Sequence, residues 1–148
     1  MSDPLTAAVL HEIADIHDFF TRWFGGRIEH TEANFARFRD ALDPVFAQVN
    51  PAGLLRPHGT ILRDVWAHWR QFGDDPGFRI WIDAARVHHV LPGDHAVAVY
   101  QEWHEYRGKQ VARTCTGVLC RRSGTPTGIA WMQMHESLMP AGATHASP

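Results

Sequence analysis

The apolar residues change their period once along this chain, near residue 78, and that change limits the fold more than any other feature. Before it they recur every three or four positions: Val9, Ile13, Ile16, Phe20, Trp23 and Phe24, then Phe35, Phe38 and Leu42, then Ile61, Val65, Trp69 and Phe72. Such spacing gathers apolar side chains on one face of a helix. After it they alternate, as in Phe78, Ile80, Ile82 and Ala84, which is the period of a strand with one buried face. Pro92-Gly93-Asp94, Arg107-Gly108-Lys109 and Ser123-Gly124-Thr125-Pro126 are turn signals. They divide the rest of the chain into strands over 78–91, 95–106, 110–121 and 128–139.

Local signals set the ends of the helices. Asp3 is an N-cap with proline behind it, and Gly25-Gly26 is a stop, so the first helix covers 4–24. Thr31 caps a second, shorter helix that Asp43-Pro44 ends, because the residue before proline is pushed out of the α region. Residues 45–49 read as a short strand, Asn50-Pro51-Ala52-Gly53 as a turn, and a third helix starts near Thr60. Helices first and sheet after is the segregated α+β pattern. With no repeat or linker in view, residues 1–139 are expected to form one domain. The small, polar stretch 140–148 is expected to be a flexible tail.

Composition excludes several functions. A formal net charge of −2 and a pI of about 6.6 argue against nucleic acid or an anionic membrane as a partner, since both want a basic surface. No apolar run approaches the roughly 20 residues that span a bilayer, and no signal peptide is visible at the N-terminus. Cys115 and Cys120 lie in one strand on opposite faces, about 16 Å apart by strand rise, too far for a disulfide. Reduced thiols of this kind suit a cytoplasmic protein.

The element order helix–helix–strand–helix followed by four long antiparallel strands resembles the nuclear-transport-factor-2-like superfamily over residues 5–139. Three segments look like its small bacterial members of the SnoaL-like and ketosteroid-isomerase-like kind. They are Phe46-Ala47-Gln48-Val49-Asn50-Pro51-Ala52-Gly53, Tyr100-Gln101-Glu102-Trp103, and Trp131-Met132-Gln133-Met134-His135-Glu136-Ser137. The resemblance implies a cystatin-like cone. Three helices would pack on a strongly curved antiparallel sheet, with a cavity at the wide end and a homodimer built through the outer sheet face.

Eleven histidines invite a metal reading, but the spacings do not support it. His88-His89 are adjacent in a strand and point to opposite faces, and neither Cys-x-x-Cys nor a helical His-Glu-x-x-His occurs. Neither a metal nor a cofactor is expected. General acid–base chemistry is the serious catalytic option, with His17, Glu102 and His135 as candidates. The expected lining of the cavity is His17, Phe20, Trp66, Tyr100, Glu102, Arg113, Trp131 and His135, with Trp131 and His135 placed facing inward. His104 stands behind these. Asp43 precedes a proline and is read as a turn former, while Asp40 and Asp83 are weaker acidic candidates. Three functions stay open. The first is a dimeric cone that binds a small apolar or aromatic molecule, the second a lyase or isomerase acting on a carbonyl substrate, and the third a non-catalytic dimerisation module.

Overall fold

Asp3 starts the longest helix by accepting the backbone N–H of Leu5 on its carboxylate, 2.6 Å away, with Pro4 as the first helical residue. The computed structural model describes residues 3–145. Its elements are α1 (Pro4–Phe24), α2 (Glu32–Arg39), β1 (Leu42–Val49), β2 (Leu55–Pro57), α3 (His58–Ala67), β3 (Arg79–Leu91), β4 (His95–Tyr106), β5 (Lys109–Arg121) and β6 (Ile129–Leu138). One face of α1 (Leu5, Val9, Ile13, Ile16, Phe19 and Trp23) is buried. Trp23 also donates its indole N–H to the Val65 carbonyl, 2.7 Å away, tying α1 to α3. Gly26 ends the helix at a φ of +66°, and a Cβ there would lie 2.5 Å from Arg70 Cγ. Only glycine meets both conditions.

The strands form one open sheet in the order β2-β1-β6-β5-β4-β3. The four long strands are an antiparallel meander, as the alternation predicts, while β1 runs parallel to β6 and pairs antiparallel with β2. Strand β2 is an element the sequence did not suggest; three residues are too few for a period to show. The second helix ends at Arg39, so Asp43 and Pro44 lie inside β1 rather than closing the helix. Leu42 falls on the helical spacing but is the first residue of the strand. The register of β1 against β6 is irregular between Leu42 and Ala47, which suits a proline in a sheet. The third helix begins at His58 and ends at Ala67, leaving Trp69 and Phe72 in the turns that follow.

One irregularity decides which side chains reach the interior of the cone. Val118 pairs with Gln133 and Leu119 with Trp131, so Met132 is an extra residue in β6. Such a bulge reverses the alternation of its strand. Trp131, Met134 and Glu136 therefore all face inward and are buried, whereas His135 is exposed on the outer face. A strict period of two had grouped His135 with Trp131.

Buried charge also holds the closed end of the cone. Glu12 is fully buried on α1. It accepts from Arg37 Nη2 on both carboxylate oxygens (2.9 and 2.7 Å) and from the Thr127 hydroxyl (2.9 Å). Burial raises its carboxyl pKa, against these partners. The Trp131 indole N–H lies close to Glu12 without reaching hydrogen-bond geometry.

On the outer sheet face, Met139 and residues 140–145 of the expected flexible tail lie against the strands. Met139 N–H donates to the Ala112 carbonyl (2.9 Å), and His145 pairs with Asp83 (2.8 Å) while meeting Trp81 and Trp103 edge-on. Residues 146–148 of that tail lie outside the described residues. No described helix is long and apolar enough to cross a membrane.

Candidate functional site

The wide end of the cone opens into a cleft of about 290 Å³ between the sheet and the helices. Its two sides differ in chemistry. The helix side presents Phe20, Phe24, Phe38, Ile61 and Val65, with Phe72 from the following turn, and also carries Asp64, His68 and Gln71. The sheet side presents Gln48, Arg56, Glu102, His104, Arg113 and Glu136, with Phe46, Ile80 and Met134 among them. Cross-strand register brings these polar residues together. Arg56 stands opposite Gln48, and Glu102 opposite Arg113.

These side chains form one connected set of hydrogen bonds and ion pairs that begins behind the cleft. His17 faces two acceptors. Its Nδ1 lies 2.6 Å from the Ile13 carbonyl and its Nε2 lies 2.7 Å from Glu102 Oε1. Both contacts are hydrogen bonds only when both ring nitrogens carry protons or when Glu102 does. The other Glu102 oxygen accepts from His104 Nε2 at 2.6 Å and lies 3.9 Å from Arg113 Nη1. That same Nη1 donates to Glu136 Oε2 (2.6 Å), and Gln48 Nε2 donates to Glu136 Oε1 (2.7 Å). Arg56 donates to Gln48 Oε1 (3.2 Å) and is paired with Asp64 of α3.

The two glutamates are pushed in opposite directions. Burial disfavours the charge on Glu102, but hydrogen bonds from His104 and His17 outweigh it and hold the carboxyl well below its usual range. Burial and the neighbouring charge of Glu102 raise Glu136 against Arg113 and Gln48. Carboxyls separated in this way suit different proton roles. Burial, followed by the two carboxylates, also pushes the Cys115 thiol far up, so it is no nucleophile. Donor atoms of Glu102, Cys115 and Glu136 come within 4.8 Å of one another. The cation among them is the Arg113 guanidinium.

Of the lining residues expected from the sequence, Phe20, Glu102 and Arg113 face the cleft. His17 and Tyr100 sit directly behind it, fully buried, with ring centroids 5.3 Å apart. Tyr100 donates its hydroxyl to Sδ of Met134, which lines the cleft. Trp66 packs instead in an aromatic cluster with Trp23, His30 and Phe35. Trp131 is buried deep in the core, and His135 points the other way because of the Met132 bulge. Asp43 forms a turn by accepting from Val45 N–H (2.9 Å) and pairs with Arg122, Asp40 caps α2, and Asp83 is on the outer face. Sequence reasoning gave no site role to Glu136, Gln48 or Arg56. The alternation of β4 was the available signal, since it groups His104 with Glu102 and Tyr100 on one face.

The model for the family described as sucrose-6-phosphate phosphohydrolase C-terminal matches residues 9–140. The chain belongs to this family. A probable sucrose-phosphatase 2 from Arabidopsis thaliana is 27% identical over 130 residues, covering 86% of this chain and 29% of that protein. Sucrose-phosphatase 2 from Nicotiana tabacum is 26% identical over 146 residues, covering 93% and 32%. The chain thus spans about a third of the length of these relatives. Among solved structures, an NTF-2 like protein of unknown function from Pseudomonas aeruginosa superposes with a TM-score of 0.77 at 21% identity, covering 90% of this chain and 99% of the other. A CaMKII hub from S. rosetta gives a TM-score of 0.65 at 15% identity, covering 94% and 99%. An uncharacterized protein from Caulobacter vibrioides with a cystatin-like fold gives 0.66 at 15%, covering 91% and 89%. These likenesses confirm the nuclear-transport-factor-2-like, cystatin-like fold read from the sequence. The family shown is the phosphohydrolase C-terminal one, and these likenesses do not confirm the SnoaL-like, ketosteroid-isomerase-like branch.

Proposed function

We propose that this sucrose-6-phosphate phosphohydrolase C-terminal domain binds a small, uncharged, polyhydroxylated molecule of the sugar class in the cleft. The observation that carries this reading is the division of the cleft wall. A sugar ring has apolar C–H faces and hydroxyl edges. Here a wall richer in phenylalanine faces one richer in carboxylate, guanidinium, imidazole and carboxamide groups. The sequence suggested an apolar or aromatic ligand, and the polar sheet wall favours an amphipathic one instead. Charges on that wall balance in pairs: His17 with Glu102, Arg113 with Glu136, and Arg56 with Asp64. Neither arginine of the cleft is left without a carboxylate partner. The volume of about 290 Å³ is near the lower end of small-molecule sites, roughly 300–1,000 Å³, and suits about one sugar ring. The relatives are named as phosphatases of sucrose phosphate, so sucrose is the first probe. Calorimetric titration of the full chain with sucrose and with sucrose 6-phosphate tests the reading. Saturable binding of sucrose at one site per chain is expected, no weaker than that of the phosphate ester. The absence of heat from either sugar at tens of millimolar refutes the proposal.

Two further readings rest on specific observations. Acid–base chemistry on a carbonyl substrate keeps Glu102, with His104 replacing the outward-facing His135 as its partner. Homodimerisation through the sheet is supported by the half-buried Val97, Val99 and Val118 on the outer face. Light scattering decides the latter, a dimer mass being expected and a monomer mass contradicting it.

A further inference from the structure

Two histidines share the Glu102 carboxylate, and they differ in what their second nitrogen meets. His17 is closed, with both ring nitrogens on protein acceptors and a side-chain exposure of 1%. His104 is open, with 23% side-chain exposure and a ring that lines the cleft. Its Nε2 is 2.6 Å from Glu102 Oε2. An ionised carboxylate only accepts, so Nε2 must be the nitrogen that carries the proton. In the neutral ring Nδ1 then bears a bare lone pair, and it has no protein partner among the described residues. The cross-strand neighbours of His104 are Ile80 on β3 and Val111 on β5, neither of which offers a side-chain donor.

We infer that Glu102 fixes His104 in its Nε2–H tautomer, so that Nδ1 accepts a hydrogen bond from a hydroxyl of the bound molecule. The inference rests on the reading of the cleft as a site for a polyhydroxylated molecule, and it names the group that distinguishes a hydroxyl from an anion. Charged and titratable groups of the cleft around His104 are Glu102, Arg113 and Glu136 on the sheet, Arg56 on β2, Asp64 on α3, and His68 just after it. Arg113 approaches the same Glu102 oxygen as His104, its Nη1 3.9 Å away. It uses Nη1 for Glu136, its buried Nε has no partner, and its Nη2 makes no hydrogen bond among the described residues. An acceptor beside a free donor matches a vicinal diol. One hydroxyl gives its proton to His104 Nδ1, and the neighbouring oxygen accepts from Arg113. A phosphate or carboxylate has no proton to give and meets the lone pair instead.

Two measurements on the full chain test this. Long-range nitrogen–proton NMR of the imidazoles in ¹⁵N-labelled protein at neutral pH should show His104 with a protonated Nε2 and a bare Nδ1. An Nδ1–H tautomer or an imidazolium would overturn the inference, whatever binds. The second is sucrose titration of His104→Gln and His104→Asn, each shown to be folded by circular dichroism. The glutamine amide can replace the Nε2–H donor to Glu102 but leaves no acceptor at the Nδ1 position, and about tenfold or greater weakening is expected. The asparagine carbonyl oxygen occupies the Nδ1 position and should restore part of that loss. Sucrose bound equally well by wild type and His104→Gln defeats the inference and leaves the sugar reading standing. Failure of wild type to bind sucrose removes both the sugar reading and the assigned ligand, even where the tautomer is as inferred.

Discussion

Replacing Glu102 separates its charge from its hydrogen-bonding capacity. Glu102 is 5% exposed and accepts from two histidine rings at 2.7 and 2.6 Å. In Glu102→Gln the side chain keeps its volume. The carboxamide oxygen can accept from His104, and its N–H₂ can donate to a His17 that has released its second proton. Both contacts survive as neutral hydrogen bonds, so the expected loss is about 1 kcal/mol, the difference between charge-assisted and ordinary bonds. Glu102→Leu offers no polar atom. His17 and His104 each lose a partner, at roughly 1–3 kcal/mol per unsatisfied buried group, less for the part-exposed His104. A total near 3 kcal/mol corresponds to a drop in Tm of about 6–12 °C for a chain of this size.

The pH dependence of the same pair checks the sign. Glu102 has a folded pKa depressed below its unfolded value, so its stabilisation is complete above the unfolded value of about 4.3 and is lost as the pH falls through the folded one. The gap between wild type and Glu102→Gln should therefore be widest near neutrality and close below about pH 4.3. Urea unfolding followed by tryptophan fluorescence across this range reads both effects. Leucine no more damaging than glutamine, or a gap that does not change with pH, would refute the assignment of Glu102 as a buried, ionised acceptor.

At the closed end, Arg37→Met leaves Glu12 fully buried with only Thr127, and thermal unfolding should show a loss of about 3–5 kcal/mol. Adding Glu12→Gln should recover most of it, and no recovery would contradict the pairing. At Gly117 a Cβ would lie 2.9 Å from Trp131 Cζ3 and 3.3 Å from Leu119 Cδ1, so Gly117→Ala is expected to cost about 1–3 kcal/mol by overpacking. An unchanged Tm would show that the indole moves freely. The Cys115 thiol is buried and pushed upward by burial and the two glutamates. Ellman's reagent should therefore modify it only on unfolding, and rapid labelling of the native protein at this position would contradict its placement.

Much of the fold is legible because it depends on periods and turn residues. The 3.6-to-2 change sets the helices apart from the sheet, the Asp3-Pro4 cap starts α1, and the Gly93 and Gly108 turns divide the meander. The site is less legible because it depends on register. A single extra residue, Met132, exchanges Glu136 for His135 on the inner face, and no local signal marks it. Trp66 sits on the buried face of α3, which suggests a lining residue, but whether a buried helix face meets the cleft or another helix depends on tertiary packing. Glu102 and Arg113 needed only the alternation of two well-formed strands. The pairing of Glu102 with His17 across 85 positions is a property of how α1 crosses the sheet.

The central claim, that the cleft receives a sugar-like molecule, is tested most directly by following the backbone amide and arginine side-chain NMR signals of the full chain during a sucrose titration. Saturable shifts concentrated at Gln48, Arg56, His104, Arg113 and the phenylalanines of the helix wall, with the outer face around Trp81 and Trp103 unmoved, are predicted. Shifts that fail to saturate, or that gather on the outer face while the cleft stays silent, would contradict it.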